Sequence, residues 1–437
     1  MINKILIANR GEIAIQIIKK CQKMKIKTVA IYSNIDRNSL HVALADESVC
    51  IGPADSQLSY MNMDSIIEIA KLLKVDAIHP GYGFLAESSV FAKKCKDNGF
   101  IFIGSNVDNI ELLGNKEKAK IIMKKEKIPV IEGNEKKIET LENAILECNK
   151  IGYPVILKAS YGGGGKGIKV IENEEELIKR YNITKTEVER SFDKGDIYIE
   201  KYIQNARHIE FQMIADQHNN IDCIGIRDCT IQKNNQKIIE ETLNEQFNNE
   251  KIKVLIGKIK MVLKKMGFYG IGTMEFLKDE NDNFYFLEMN VRLQVEYKIT
   301  ELTSGVDIIK KQIEIADGKE INIETNLNNK YCIEVRINME KNLKKSQNKI
   351  DRIILPNINN VYYDTYIYEG YEIPIIYDSM LCKVQVLSNN RKNGLGLMKE
   401  VLNNIVINGI ETNLNSIIEI FNNDKFNENT HNTNLLK

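Results

Sequence analysis

The chain has 437 residues, enough to bury a large core and to divide into two to four domains. Hydrophobic residues make up 43% and charged residues 27%; 60 Lys and Arg balance 60 Asp and Glu, which leaves no global field arguing for nucleic acid or a membrane surface. No apolar run is long enough for a membrane span, and the opening MINKILIANRGEIA lacks a signal-peptide pattern and reads as a first strand.

The 8 cysteines are scattered, with no C-x-x-C and no close Cys/His cluster. Reduced thiols in a cytosolic-type compartment fit this spacing better than a disulfide framework or a zinc site, and Cys229 in RDCT reads as packing.

Residues 1 to about 115 alternate apolar strands with amphipathic helices: KILIAN, then helical EIAIQIIKKCQKM, then extended KTVAIYS. MDSIIEIAKLLK (helix), DAIHPGYG (strand and turn) and FIFIG (strand) follow. This βαβ order predicts a parallel sheet, and the first turn, NRGE, is not the G-x-G-x-x-G of a dinucleotide site. From about 130 to 203, the strands YPVILKAS and GIKVI flank a glycine run, a charged helix follows, and DIYIEKYI closes the unit. Beyond it come further strands, the helix KVLIGKIKMVLKKMGF, the strands KYCIEVRIN, VYYDTYIY and MLCKVQVL, and the helix GLMKEVLNNIVI. NMEKNLKKSQNKIDR reads as an exposed loop, and the Asn-rich tail FNNDKFNENTHNTNLLK is expected to fray.

The glycine run KASYGGGGKG, Lys158 to Gly167, lies between two strands and so is neither a P-loop nor a Rossmann turn. It reads either as a hairpin tip or as a phosphate flap, whose unhindered N–H groups curl around an anion with Lys158 and Lys166 adding charge. The stretch FLEMNVRLQVEY alternates like a strand, with Glu288, Asn290, Arg292, Gln294 and Glu296 on one side and apolar residues on the other. A hairpin centred on Asn281-Asp282 places Glu275 of IGTMEFL directly across from Glu288. Opposed carboxylates repel, and a hard dication resolves the conflict: Glu275, Glu288 and the Asn290 amide are an oxygen set suited to Mg²⁺. An exposed face with spread charges is the alternative.

Arg292, Gln294 and Glu296 continue that face as either an oxyanion site with a base or a structural Arg–Glu pair. Gln232 and Lys237 in RDCTIQKNNQKIIEE, Lys116 in LLGNKEKAK and His208 in NARHIEFQ each have an ordinary solvated or strand-edge reading beside a functional one. His79 in AIHPGYG reads as shaping its turn.

Together these segments resemble the biotin carboxylase family of the ATP-grasp superfamily along nearly the whole chain. The stretches that carry the resemblance are KILIANRGEIA, HPGYGFLAES, IGYPVILKAS with GGGGKG, IYIEKYI, ARHIEFQ, RDCTIQK, GTMEFL, EMNVRLQVE, IEVRIN and YDSML. The resemblance implies a mixed α/β and α+β ATP-grasp enzyme. It would have a Rossmann-like parallel-sheet domain over residues 1–115, an ATP-grasp domain over 116–320 with a mobile glycine-flap lid at about 130–203, and a C-terminal mixed domain over 321–437.

It further implies ATP and Mg²⁺ or Mn²⁺ as cofactors, with the metal held by Glu275, Glu288 and Asn290 and the phosphates by Lys116, Lys158, His208, Gly164 and Gly165. Glu200, Lys201 and Ile203 would border the adenine, and Gln232 would lie between nucleotide and biotin. Arg292, Lys237, Gln294 and the Val295 backbone would hold bicarbonate, Glu296 would remove its proton, Arg336 would stabilise the biotin enolate, and Tyr82 would lie near the biotin. The sequence shows no A-M-K-M attachment motif, so biotin is expected on a separate biotin carboxyl carrier protein, with carboxyltransferase subunits, most simply in a cytoplasmic acetyl-CoA carboxylase for fatty acid synthesis. A homodimer is implied, and neither nucleic acid nor membrane is expected as partner. A pyruvate or other acyl-CoA carboxylase, a different ATP-grasp ligase, and a non-catalytic ATP-binding subunit are the competing readings.

The chain departs from the family pattern at Asn234-Asn235, where Arg-His is usual, and at Tyr297-Lys298, where His-Pro is usual. Ile226 replaces the usual Glu before RDC, the Ala-Pro after EE is missing, and Lys-rich sequence replaces the Pro-Ser-rich loop after RIN. The first departure puts nucleotide affinity in question, while Glu275, Glu288, Asn290, Arg292, Glu296, Lys237 and Arg336 are all retained.

Overall fold

A computed structural model of the protein describes residues 1–134, 138–159, 168–191, 197–322, 330–340 and 348–436. Lys4–Ile7 (β1), Lys27–Ser33 (β2), Glu47–Gly52 (β3), Ala77–His79 (β4) and Ile101–Phe102 (β5) form an all-parallel sheet in the order β3-β2-β1-β4-β5. The parallel sheet expected from the βαβ order is therefore present. Strand order reverses between β1 and β4, the place where open α/β sheets leave a crevice at the carboxyl ends of their strands. The NRGE turn sits there: Gly11 takes φ +67°, and Asn9 donates from Nδ2 to the carbonyls of Pro80 (2.6 Å) and Tyr82 (2.7 Å). The two strand ends are thus tied by one amide.

Val155–Ala159 (β6), Ile168–Ile171 (β7) and Ile197–Lys201 (β8) make a small sheet in the order β7-β6-β8, covered by the helices Leu141–Ile151 and Glu174–Ser191. Gly164 and Gly165 of the expected flap lie outside the described residues, as does the Lys158 side chain.

The remaining strands are Arg207–Ala215 (β9), Ile221–Lys233 (β10), Gln236–Thr242 (β11), Gly270–Lys278 (β12), Phe284–Asn290 (β13), Tyr331–Asn338 (β14), Arg352–Ile354 (β15), Val361–Thr365 (β16), Met380–Ser388 (β17) and Val406–Asn408 (β18). Eight of them form one antiparallel sheet in the order β13-β12-β9-β10-β11-β14-β17-β16. Toward its β14 end, one face is apolar (Ile239, Ile333, Val335, Ile337, Val384 and Val386) and packs on Met398, Val401 and Leu402 of the helix Arg391–Asn404. Side chains alternate along each strand, so Glu240, Glu334, Arg336, Lys383 and Gln385 share the opposite face, and that face is also covered.

Several expectations change. The strand in FLEMNVRLQVEY ends at Asn290; residues 291–296 turn, and Tyr297 begins the helix Tyr297–Ser304. The alternation of burial holds only as far as Leu293, because the turn then buries Gln294 and Glu296 and leaves Val295 half-buried. The opposition of Glu275 and Glu288 is present, by an unexpected route. Pairing nearest the turn (Lys278 with Phe284) centres the hairpin on Asn281, and a bulge at Leu287 shifts the register back so that the two glutamates meet. Positive φ falls on Asp282 (58°). Val406 and Ile407 at the end of GLMKEVLNNIVI belong to strand β18, not to the helix.

The tail does not fray: Phe426 and His431 are buried, and Thr433 N–H donates to the Ala206 carbonyl at 3.0 Å.

Asn234-Asn235 also takes on a different meaning. They are the two central residues of the β10–β11 hairpin, with Lys233 paired to Gln236 and φ of 53° and 60°. Both positions need the left-handed region, which Asn tolerates better than most residues, so this departure from the family pattern suits the turn. Replacing Asn235 with Val is expected to lower urea-unfolding stability by about 1–2 kcal/mol. Asn235→Gly should leave it within about 0.5 kcal/mol; equal loss in both variants would refute the turn argument.

Candidate active site

The long sheet assembles a row of charge that no single segment contains. Glu288 on β13 pairs in register with Glu275 on β12, Glu275 with Glu210 on β9, and Glu210 with Arg227 on β10. Three carboxylates on adjoining strands would repel each other, and burial would amplify the cost. Cations reach in from neighbouring strands to offset it. From β11, Lys237 Nζ donates to Glu296 (2.8 Å) and Glu275 (3.1 Å) and pairs closely with Glu210. His208 Nε2 lies 2.9 Å from Glu275 and 3.2 Å from Glu210. Arg227, fully buried, donates to Glu210, to the Gln212 amide oxygen at 2.7 Å and to the Gln294 amide oxygen at 2.5 Å.

These contacts set the protonation states. Burial alone would raise the carboxyls of Glu210 and Glu275, but Lys237 and His208 outweigh it and hold both well below the usual carboxylate range. Burial would likewise discharge His208, yet Glu275 and Glu210 push it up to about 9, so it is an imidazolium at neutral pH. Lys237 is driven the same way by three carboxylates, against burial.

Glu296 is the second node. It lies at the start of the helix Tyr297–Ser304, between Lys237 on one side and Arg336 Nη2 (2.9 Å) on the other. Arg336 also pairs with Glu240 at 2.5 Å. Burial and the Glu296 charge push Glu240 up to about 7 against the pull of Arg336. Arg336 and Lys237 thus meet on one carboxylate.

Other expected residues are placed as follows. Asn290 donates to Glu275 at 2.7 Å, while its amide oxygen accepts from Arg292 at 3.0 Å. Glu288 pairs with Lys116, a largely solvated lysine at the start of the helix Lys116–Lys125. Gln294 is buried and bridges Glu275 (2.7 Å) and Arg227. Gln232 lies 3.2 Å from the His208 ring nitrogen Nδ1 and donates to the Cys229 carbonyl. Glu200 pairs with Lys120 at 2.6 Å, Lys201 donates to the carbonyls of Gly152 and Tyr153, and Ile203 is half-buried just beyond β8.

The Arg–Glu pair left open by sequence takes another form: Arg292 Nε lies 3.3 Å from Glu87, whereas Glu296 pairs with Lys237 and Arg336. Cys229 is buried with its thiol pushed up by burial and by Glu210, in keeping with a packing role. His79 is buried and accepts the Gly81 N–H at 3.1 Å, which shapes the turn as expected.

Sequence reading missed Glu210, Arg227, Glu240 and Glu87. Glu210 stands two residues beyond His208 on the same strand face, and that alternation was the available signal. Arg227 opens the RDCTIQK stretch, but nothing local marked it as part of the site, because its partners come from β9, β12 and the 291–296 turn.

The donor set suits a hard divalent cation. The carboxylates of Glu288 and Glu275 and the oxygen of Asn290 lie on two paired strands, and Lys116 and Lys237 pair with the two carboxylates.

Among the described residues no helix is long and apolar enough to cross a membrane. Family models match in sequence along the chain: biotin carboxylase, N-terminal domain, over residues 1–110; the carbamoyl-phosphate synthase L chain, ATP binding domain, over 115–324; and the biotin carboxylase C-terminal domain over 334–437. Biotin carboxylase 1 of Bacillus subtilis is 42% identical over 443 residues, covering 100% of this chain and 98% of the relative. The 2-oxoglutarate carboxylase small subunit of Hydrogenobacter thermophilus is 39% identical over 444 residues, covering 100% and 93%. Among solved structures, a biotin carboxylase–beta-gamma-ATP complex from Campylobacter jejuni superposes with a TM-score of 0.92 at 40% identity, covering 100% of this chain and 98% of that one. The Hydrogenobacter thermophilus 2-oxoglutarate carboxylase biotin carboxylase domain dimer, bound to MgADP, ADP and bicarbonate, gives 0.91 at 39%, covering 100% and 97%. With matches of this extent along the whole chain, the chain belongs to the biotin carboxylase family, ATP-dependent ligases of the ATP-grasp fold.

Proposed function

We propose that the chain carboxylates biotin on a carrier protein, using ATP and bicarbonate, through carboxyphosphate. The observation that carries this reading is the Glu296 carboxylate held at once by Lys237 and Arg336, beside the acidic row of β12 and β13. A base seated between two fixed cations stays ionised, and the same cations suit a planar oxyanion.

In this reading Glu275, Glu288 and Asn290 hold Mg²⁺, which when bound screens the phosphate oxygens during transfer. Lys116, Lys158, His208 and the flap residues Gly164 and Gly165 bind the phosphates, His208 as an imidazolium. Glu200, Lys201 and Ile203 border the adenine, and Gln232 lies beside His208 between nucleotide and biotin. Arg292, Lys237, Gln294 and the Val295 backbone orient bicarbonate while Glu296 takes its proton. The bicarbonate oxygen attacks the γ-phosphorus as ADP leaves, and carboxyphosphate then divides into CO₂ and phosphate. The released phosphate takes the ureido proton of biotin, and Arg336, charged throughout, faces the enolate that captures CO₂. Tyr82 borders the biotin.

The domain boundaries in this reading are 1–115, 116–320 and 321–437, with the flap-bearing lid at about 130–203. The 8-stranded sheet runs across the second boundary, because β14 pairs with β11. We place the chain in a cytoplasmic acetyl-CoA carboxylase, working as a homodimer with a biotin carboxyl carrier protein and carboxyltransferase subunits. Its relatives also include subunits of 2-oxoglutarate carboxylase and pyruvate carboxylase, and these acceptors are the competing ones.

ADP release in the presence of Mg²⁺ and bicarbonate, with and without free biotin, tests the reading. Bicarbonate-dependent turnover that biotin stimulates is expected. Nucleotide binding without turnover, or turnover indifferent to biotin, would overturn it.

A further inference from the structure

The sheet face that carries Glu240 and Arg336 continues across β14, β17 and β16 with Glu334, Lys383, Gln385 and Asp364, all of them buried. Buried charge is costly unless paired. At the centre of this layer Lys383 is 0% exposed. Its ammonium donates to the Val295 carbonyl at 2.8 Å and lies 3.0 Å from Glu12 and 3.6 Å from Asp364. The Tyr297 ring stands 5.1 Å from the same nitrogen, so the tyrosine that departs from the family pattern adds a π face to the cation's surroundings. Glu12, from the NRGE turn, accepts a close hydrogen bond from the Tyr82 hydroxyl. Burial would discharge Lys383, but Glu12, Glu334 and Asp364 hold it charged.

These contacts form a continuous path from Tyr82 through Glu12 and Lys383 to the Val295 carbonyl. Four distant stretches of sequence contribute to it, residues 9–12, residue 82, residue 295 and residue 383. The peptide is planar, so fixing the Val295 carbonyl fixes the direction in which Glu296 leaves that plane. Asn9 holds the other end by gripping the Pro80 and Tyr82 carbonyls. We propose that Lys383, acting through Glu12, is the positioning residue that sets the separation between Tyr82 and the peptide bearing Glu296. It thereby sets the gap between the biotin side and the bicarbonate side of the site. This rests on the function proposed above, since that reading places biotin by Tyr82 and bicarbonate by Glu296.

The full chain serves for the test, in steady-state ADP release with biotin. Lys383→Met keeps the stem and removes the charge; it is expected to lower kcat about 10- to 100-fold with the KM for ATP within about twofold, because a misplacement near 1 Å has that effect on rate. Lys383→Arg should recover part of the loss. Tyr82→Phe deletes only the hydroxyl at the far end of the path, and should lower kcat several-fold with the same unchanged KM. The double variant Tyr82→Phe with Lys383→Met should be no worse than Lys383→Met alone, since residues on one path are not additive. A kcat within twofold of the parent in Tyr82→Phe, additive losses, or a deficit confined to the KM for ATP would overturn the proposal. If Lys383→Met fails to fold, the Tyr82→Phe result decides. An unsubstituted chain without biotin-stimulated turnover would instead refute the proposed function, so the two failures are distinguishable.

Discussion

Replacing Lys237 with methionine is expected to lower kcat by about 10²–10³-fold and to destabilise the fold by about 3–5 kcal/mol. The ammonium contacts Glu210, Glu275 and Glu296 together, so its removal leaves three carboxylates with less compensation in a buried layer. Arg227 and His208 still face Glu210 and Glu275, and Arg336 still faces Glu296. The fold is therefore expected to survive at low temperature, with the acids drawn toward protonation. Removing one carboxylate along with the lysine, as in Glu210→Gln with Lys237→Met, should restore part of the stability but none of the turnover. Urea unfolding and ADP release on the same preparations separate the two effects. A Lys237→Met protein as stable as the parent would mean that the three contacts carry little energy.

The second large effect is at Glu288, with the opposite balance. Its side chain is 25% exposed and pairs with Lys116, itself 72% exposed; a solvent-screened pair of this kind contributes about 0–1 kcal/mol. Glu288→Lys should thus change stability by no more than about 1 kcal/mol. Turnover should fall about a hundredfold or more, because the reversed charge faces Lys116 where the proposed Mg²⁺ and phosphates gather. The half-saturating Mg²⁺ concentration should rise with it. Unchanged Mg²⁺ dependence in Glu288→Lys would remove this residue from the metal site, whatever the fate of the rest.

The contrast between the two residues shows where sequence could and could not be read. Glu288 and Glu275 were legible because they lie on two strands joined by one short turn, and side-chain alternation fixes the face of each. Even there the local rule was right for an incomplete reason, since a bulge at Leu287 corrects a register that the turn alone would have offset. Alternation failed past Asn290, where the chain turns and buries Gln294 and Glu296 along with Val291 and Leu293. Asn234-Asn235 was marked as a loss near the nucleotide, and backbone φ shows a turn that wants Asn. Composition marked the tail as frayed, whereas Phe426 and His431 seat it against the body.

By itself the sequence determined the parallel N-terminal sheet, the hairpin of acids, the identity of most polar groups around the site and, through its motifs, the family. Those follow from periodicity and from chemistry carried on short segments. Only the tertiary structure decided that Glu210 and Arg227 complete the acidic row, that Glu296 sits between Lys237 and Arg336, and that Lys383 reaches both Glu12 and Val295. The reason is that charge compensation depends on which strands become neighbours. Pairing β12 with β9 and β11 with β14 joins residues far apart in the chain, and no local pattern records that choice.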